Sequence, residues 1–232
     1  MVEQALQCLQ EADTFSAIEF LNQQPRPLVV AAAYNDLLKA LYWEQRNIAH
    51  VTVIGRAAIQ YCSDQAQAAA EAGDMEKAQT LRSAAKQLAY NLASFTWPGW
   101  NEPEIDLQPP QIEAGLDAAR QNLRLALELD KGDLPLSRAY WMLGGHLLAA
   151  KALAGAESNY RRAAMYGRRA ESEVDTLLAQ AFAALAALLA QPGSKAGQTA
   201  YAVAAERLSG LEDGEAFQEQ LETARSVFAD QR

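Results

Sequence analysis

The sequence predicts an all-α protein built as an array of packed helices, and three observations carry that prediction. Apolar residues recur at three- and four-residue spacing almost everywhere, and no stretch alternates apolar with polar residues for long enough to make a strand. Half of the 232 residues are apolar, and much of that half is alanine, which favours helix and lets helices approach closely. Short clusters of glycine, proline and capping residues interrupt the pattern at intervals suited to helix-to-helix turns.

Those interruptions divide the chain into about ten helices. "VEQALQCLQEA" opens it, and "TFSAIEFLNQ" follows with Asp13 as N-cap. After "QQPRP", Pro27 suits the first turn of a helix that runs to about Gln45. Asn47 caps a long helix reaching about Ala72, and Asp74 caps another that ends at the Trp97-Pro98-Gly99-Trp100 stretch. Further helices are expected over 111–130, 135–153, 156–168, 171–190, 196–209 and 214–230. The separators "DKGDLP", "LAGA", "QPGSKAG" and "SGLEDG" lie between the later ones. As a domain plan, 1–232 reads as one helical-repeat domain. N-terminal helices occupy 1–26, helix pairs with an inserted loop at 97–110 occupy 27–209, and a capping helix occupies 210–232.

Charge and composition narrow the function classes. A net charge of −9 argues against nucleic acid, which needs a clustered basic footprint. Arg161, Arg162, Arg168 and Arg169 form the nearest approach to one, on what is otherwise read as a solvated helix face. The stretch "MVEQALQCLQEADTFS" has neither the basic region nor the apolar run of a signal peptide. "LLAQAFAALAALLA" is shorter than the ~20 residues a bilayer needs, so it is expected to be a buried helix and no membrane partner is expected. Cys8 and Cys62 each fall in an apolar-periodic helix and read as free thiols, in keeping with a reducing, cytoplasmic setting.

No catalytic or metal-binding constellation is legible. His50 and His146 are far apart in sequence and lack cysteine or carboxylate partners at ligand spacing. Carboxylate pairs such as Glu102/Glu104 and Glu171/Glu173 are two residues apart, a spacing that points them to different sides of a helix. There is no phosphate-binding glycine loop and no nucleophile elbow, and no cofactor is expected.

Two segments carry a repeat pattern. In "SRAYWMLGGHLLAAKALAGAESNYRRAAM", Tyr140, Leu143, Gly144 and Leu147 on one helix are followed by Ala156, Tyr160 and Ala163 on the next. This resembles the tetratricopeptide repeat, whose first helix carries aromatic, leucine, small and bulky residues and whose second carries alanine, aromatic and alanine. Ala119, Leu123 and Ala126 in "GLDAARQNLRLALELDKGD" are similar to the second half of such a unit. The usual closing proline is absent, its places being taken by Lys131 and Arg168. The resemblance implies a right-handed α-solenoid of antiparallel helix pairs, with Leu143, Gly144, Leu147, Ala156, Tyr160 and Ala163 buried. It also implies a concave groove that receives a peptide or partner protein.

Carried over residue by residue, the groove-facing places are Arg138, Trp141, Gly145 and Leu148, while burial of Trp141 against the helix over 74–96 is an equal alternative. Tyr90 and Asn91 would approach the groove wall. A parity in which 47–72 and 74–96 are long antiparallel helices, with Gly55 at a close approach, makes the loop over 97–110 an insertion between two paired helices.

A loop of that length holding Trp97, Trp100 and four prolines is expected to fold back onto the array, because leaving both indoles in water is costly. It would act as a plug over an apolar seam or as the rim of a binding pocket. Two further functional readings stand beside the binding scaffold. In one, a small-molecule or catalytic pocket lies under the Trp-Pro-Gly-Trp loop, lined by Tyr90, Asn91, Trp141 and His146. In the other, the chain is a self-associating structural unit forming a homo-oligomer.

Overall fold

The computed structural model describes residues 1–212 and 214–229, and their regular structure is entirely helical. In chain order the helices are α1 (Val2–Glu11), α2 (Thr14–Asn22), α3 (Pro27–Trp43), α4 (Ile48–Glu71) and α5 (Met75–Phe95). A 3₁₀ turn over Pro98–Trp100 follows, and then come α6 (Pro109–Glu128), α7 (Asp133–Ala149) and α8 (Leu153–Arg169). The last three are α9 (Glu173–Ala190), α10 (Lys195–Ser209) and α11 (Gly214–Ala229). The expected capping helix over 210–232 is thus seen as α11, and the part of that expectation falling on residues 213 and 230–232 lies outside the described residues. Where the sequence reads as one domain, the chain divides into two compact units. Unit 1 comprises Met1–Thr96 and Glu104–Leu129, and unit 2 comprises Trp97–Pro103 with the chain from Asp130 onward.

The helix starts follow local chemistry. Asp13, Asn47 and Asp74 each accept a hydrogen bond from the backbone N–H three residues on, as their capping roles require. Ser172 and Ser194 do the same for α9 and α10. The helix ends depart from the expected reliance on glycine. Gly73 takes the left-handed conformation after α4, but Arg46, Asp130, Lys151 and Glu171 take it after α3, α6, α7 and α8. At Asp74, Ala152 and Ser172 the backbone N–H then reaches the carbonyl of Ala69, Leu147 and Gly167, closing each turn tightly. Charged residues tolerate these positions because the geometry is held by that bond and by the antiparallel packing it leads into.

In unit 1, α4 runs unbroken and packs antiparallel to α5. A side-chain carbon at Gly55 would lie 3.1 Å from the Leu92 side chain, and at the other end of the pair Ala66 and Ala69 meet Ala78 and Leu81. This is the close approach anticipated from the sequence. Helix α6 pairs with α5 across the intervening loop. On the other side α3 closes the core: Tyr34 donates to Asn22 Oδ1 at 2.7 Å, its ring lies 5.9 Å from that of Tyr61, and Tyr42 stacks on Phe95 at 4.2 Å.

In unit 2, consecutive helices from α7 to α11 pack on one another, and α9 sits against α7 and α11 as well. That central place accounts for the apolar character of α9, which among the described residues is the one helix long and apolar enough to cross a membrane. The α7–α8 pair is held by small residues. A carbon at Gly144 would sit 2.9 Å from the Tyr160 ring, and Ser137 donates its hydroxyl to the Ala163 carbonyl at 2.8 Å. Gly144, Ala156, Tyr160 and Ala163 are buried as expected, whereas Leu143 and Leu147 are only half-buried. The buried side of α7 is displaced toward Trp141, Met142, Gly145 and Leu148, because the segment after α5 covers it, as described below.

Two outcomes test this packing. Substituting Gly144→Ala is expected to destabilise the protein by about 1–3 kcal/mol, since the Tyr160 ring must move. Gly193→Ala, with nothing within 4 Å of the new carbon, should change the urea midpoint little. Equal midpoints for the two variants would contradict the α7–α8 contact. The second outcome concerns pH. Burial pushes the Cys62 thiol up from 9.0 to about 12 and also raises the Tyr34 phenol. Both groups stay neutral in the folded chain over a range where the unfolded chain ionises, so their contribution is complete below pH 9.0 and is lost as pH rises toward about 12. Urea midpoints should therefore fall above pH 9.0, with a shallower fall for Cys62→Ala. A midpoint that rises with pH there would overturn the assignment.

Candidate functional site

Two surfaces of unit 2 bear on function: the aromatic cluster assembled around the Trp-Pro-Gly-Trp segment, and an open groove along α8, α9 and α10.

The cluster begins with local backbone chemistry. Trp97 precedes a proline and is extended, with φ −86 and ψ 116, and Pro98 then starts the 3₁₀ turn. The turn closes with Asn101 in the left-handed region and folds Gly99 beneath the indole of Trp97, where a side chain would collide. Trp97 is thereby driven into unit 2 and is only 1% exposed. Its ring lies 4.8 Å from Trp100, 5.2 Å from Trp141, 5.9 Å from Phe182 and 6.2 Å from Phe228. Tyr160 extends the cluster, 5.4 Å from Phe182. Gly145 makes the fit possible, because a carbon added there would stand 2.9 Å from Trp97 Nε1. The indole nitrogens of Trp97 and Trp141 and the hydroxyl of Tyr160 are buried without a hydrogen-bond partner among the described residues.

Several expectations about this face are therefore corrected. Trp141 and Leu148 do not face an open groove: they are 8% and 1% exposed. Trp141 is buried, but with Trp97, Trp100, Tyr160 and Phe182 around it and not against the helix over 74–96 as the alternative reading had it. Trp100 is partly exposed. Arg138 is exposed and forms an ion pair with Asp175 at 3.0 Å. His146 is fully buried. Tyr90 and Asn91 belong to unit 1, where Asn91 donates to Asn35 Oδ1 at 2.6 Å and accepts from Gln87 at 2.9 Å, so its amide is engaged within the unit.

The groove lies elsewhere on unit 2. One cavity of about 400 Å3 is lined by Glu157, Arg161, Ala164, Arg168, Gln180, Ala183, Ala184, Ala187 and Ala200. A second, of about 420 Å3, shares Arg168 and Gln180 with the first and continues to Glu171, Ser172, Glu173, Thr176, Leu177 and Arg207. On α8 the lining residues 157, 161, 164 and 168 fall on one helical face and span about 16 Å. Alanines of α9 form the floor, since their short side chains leave the helix backbone near the surface. Arg161 is held by Glu157, whereas Arg168 and Arg207 have no carboxylate partner among the described residues. The walls carry both signs of charge: Arg161, Arg168 and Arg207 against Glu157, Glu171 and Glu173.

Sequence reasoning singled out Arg161 and Arg168 as part of a basic face but did not anticipate that they border a groove with α10. The signal present was the spacing of alanines along α9, which also describes an ordinary buried helix. It also passed over Asn122 in α6 of unit 1, which is fully buried with both amide atoms unpartnered among the described residues. A smaller cleft in unit 1, about 190 Å3, is lined by Arg56, Gln60, Asp117 and Gln121 with Ile59, Leu92, Ala114 and Ala118. Among the described residues no group of histidine, cysteine and carboxylate side chains is placed to hold a metal ion. No family model and no curated protein matches the chain.

The cluster makes an asymmetric prediction for its two loop tryptophans. Trp97→Ala removes a fully buried indole and is expected to cost about 3–5 kcal/mol, whereas Trp100→Ala should cost distinctly less. In a chain retaining only Trp97, acrylamide should quench poorly, and in one retaining only Trp100 it should quench readily. Equal quenching of the two would contradict the burial described here.

Proposed function

We propose that this chain is a noncovalent binding scaffold of the helical-repeat type, which receives a peptide or a segment of a partner protein in the groove between α8 and α10. The observation that carries this reading is the groove itself: an open cavity with alanines of α9 in its lining, and arginines on both walls of which Arg168 and Arg207 hold no ion pair among the described residues. Alanine floors suit an incoming main chain, because they let it approach the helix closely. Walls of mixed charge suit a polypeptide bearing side chains of both signs better than a polyanion, whose phosphates require an uncompensated basic surface.

Within the same reading, α7–α8 is a tetratricopeptide-like helix pair and α9–α10 the next pair of a right-handed solenoid. The Gly144–Tyr160 approach and the tight turns between consecutive helices support that assignment. The groove used is then the one bordered by the second helices of the two pairs, since the first-helix face at Trp141, Gly145 and Leu148 is covered. A cytoplasmic setting is in keeping with the free thiols of Cys8 and Cys62, the latter buried.

A partner captured on the immobilised wild-type chain tests the proposal. Ala200→Trp, at an exposed position on the groove wall, should lower its affinity by at least about tenfold, which corresponds to ~1.4 kcal/mol, without shifting the unfolding midpoint. Arg168→Glu should do likewise. A partner that binds both variants as tightly as wild type does not use this groove.

A further inference from the structure

The segment Trp97–Pro103 belongs to unit 2 by its packing, yet the chain on both sides of it, Met1–Thr96 and Glu104–Leu129, belongs to unit 1. It enters unit 2 as a short peptide would. We propose that it is a displaceable internal ligand: unit 2 carries an indole slot, walled by Trp141, Gly145, Phe182 and Phe228, that binds a proline-flanked tryptophan segment reversibly and holds its own in the resting state. This inference does not depend on whether the α8–α10 groove receives a partner.

Three features of the docked segment support it. The slot walls come from α7, α9 and α11, and α9 packs on both of the others within unit 2. Recognition is by shape, through one anchor: Trp97 is 1% exposed and sits over the bare backbone of Gly145. The backbone hydrogen bonds of the turn, from Trp100 N–H to Trp97 O and from Asn101 N–H to Pro98 O, are internal to the segment, so undocking breaks no ladder with the helices beneath.

The docked state also carries costs that undocking relieves. Trp97 Nε1 and Trp141 Nε1 are buried without a partner among the described residues and would meet water in the open state. Proline-fixed segments that dock against aromatic walls form a recurrent mode of peptide recognition, because little entropy is lost on binding, and here Pro98 opens the turn that presents Trp97. An open strap would leave that slot free for a tryptophan-proline segment supplied by another molecule.

The test uses a fluorescein-labelled peptide of residues 94–106, SFTWPGWNEPEID, and the full-length Trp97→Ala chain. The peptide should bind this variant saturably. Binding should be at least about tenfold weaker to the wild-type chain, whose own strap competes at high effective concentration. A peptide in which the residue equivalent to Trp97 is alanine should bind weakly. A Trp97→Ala chain that keeps its helical circular dichroism but fails to bind, or that binds both peptides equally, overturns the proposal. Native-state hydrogen exchange on the wild-type chain decides independently of any variant. The Asn101 amide should be at least about a hundredfold less protected than the amides of Met142 to His146, reporting local opening. Protection equal to that of α7 would mean that the segment leaves only on global unfolding, and the proposal would fall.

Discussion

The packing of Trp97 against Gly145 is the contact on which the organisation of unit 2 turns. An indole can come this close to a helix only where that helix presents no side chain, and α7 offers a glycine at that point. The stabilisation is large: burying a tryptophan removes on the order of 200 Å2 from water, worth about 5 kcal/mol as an upper figure at ~25 cal/mol per Å2. The unpartnered indole N–H subtracts about 1–3 kcal/mol from that. With the indole in place, Trp141, Phe182 and Phe228 from three different helices share a common neighbour, and α11 packs on the turn that follows it.

This contact also explains which parts of the molecule could be read in advance. Helix starts were legible because they depend on a single side chain, as at Asp13, Asn47, Asp74 and Ser172. The antiparallel pairing of α4 with α5 was legible because Gly55 and the alanines at 66, 69 and 78 mark a surface where helices touch. Folding back of the loop followed from the cost of exposed indoles. The direction in which α7 faces was not legible: Gly144 and Gly145 are adjacent, each makes room for an aromatic ring, and nothing local says that one receives Tyr160 and the other Trp97. Leu143 and Leu147 consequently lost part of the burial assigned to them, and Leu148 gained it. The division into two units was equally hidden, since it depends on where Trp97–Pro103 and α6 pack and not on any break in helical periodicity.

With the face of α7 at Trp141, Gly145 and Leu148 covered, unit 2 presents its open groove on the side of α8 and α10. Alanine has two roles in this protein. Inside the helix pairs it permits close approach, and on the outer side of α9 Ala183, Ala184 and Ala187 line the groove. The arginines follow the same division. Arg138 and Arg169 are engaged with Asp175 and Asp133, Arg162 lies over the Tyr140 ring, and Arg168 and Arg207 remain directed at the groove. The proposed binding role and the proposed strap thus draw on different faces of the same helices.

The central claim is that Gly145 is glycine because Trp97 is tryptophan, and a double-mutant cycle on urea midpoints tests it most directly. In the wild-type background Gly145→Ala should destabilise by about 1–3 kcal/mol, because its new carbon meets the indole. In the Trp97→Ala background the same substitution should be neutral or should stabilise by up to ~1 kcal/mol, the ordinary gain from replacing glycine within a helix. A reversal of sign between the two backgrounds is the result the account predicts. An equal cost in both would show that something other than Trp97 demands glycine at this position, and would contradict the account.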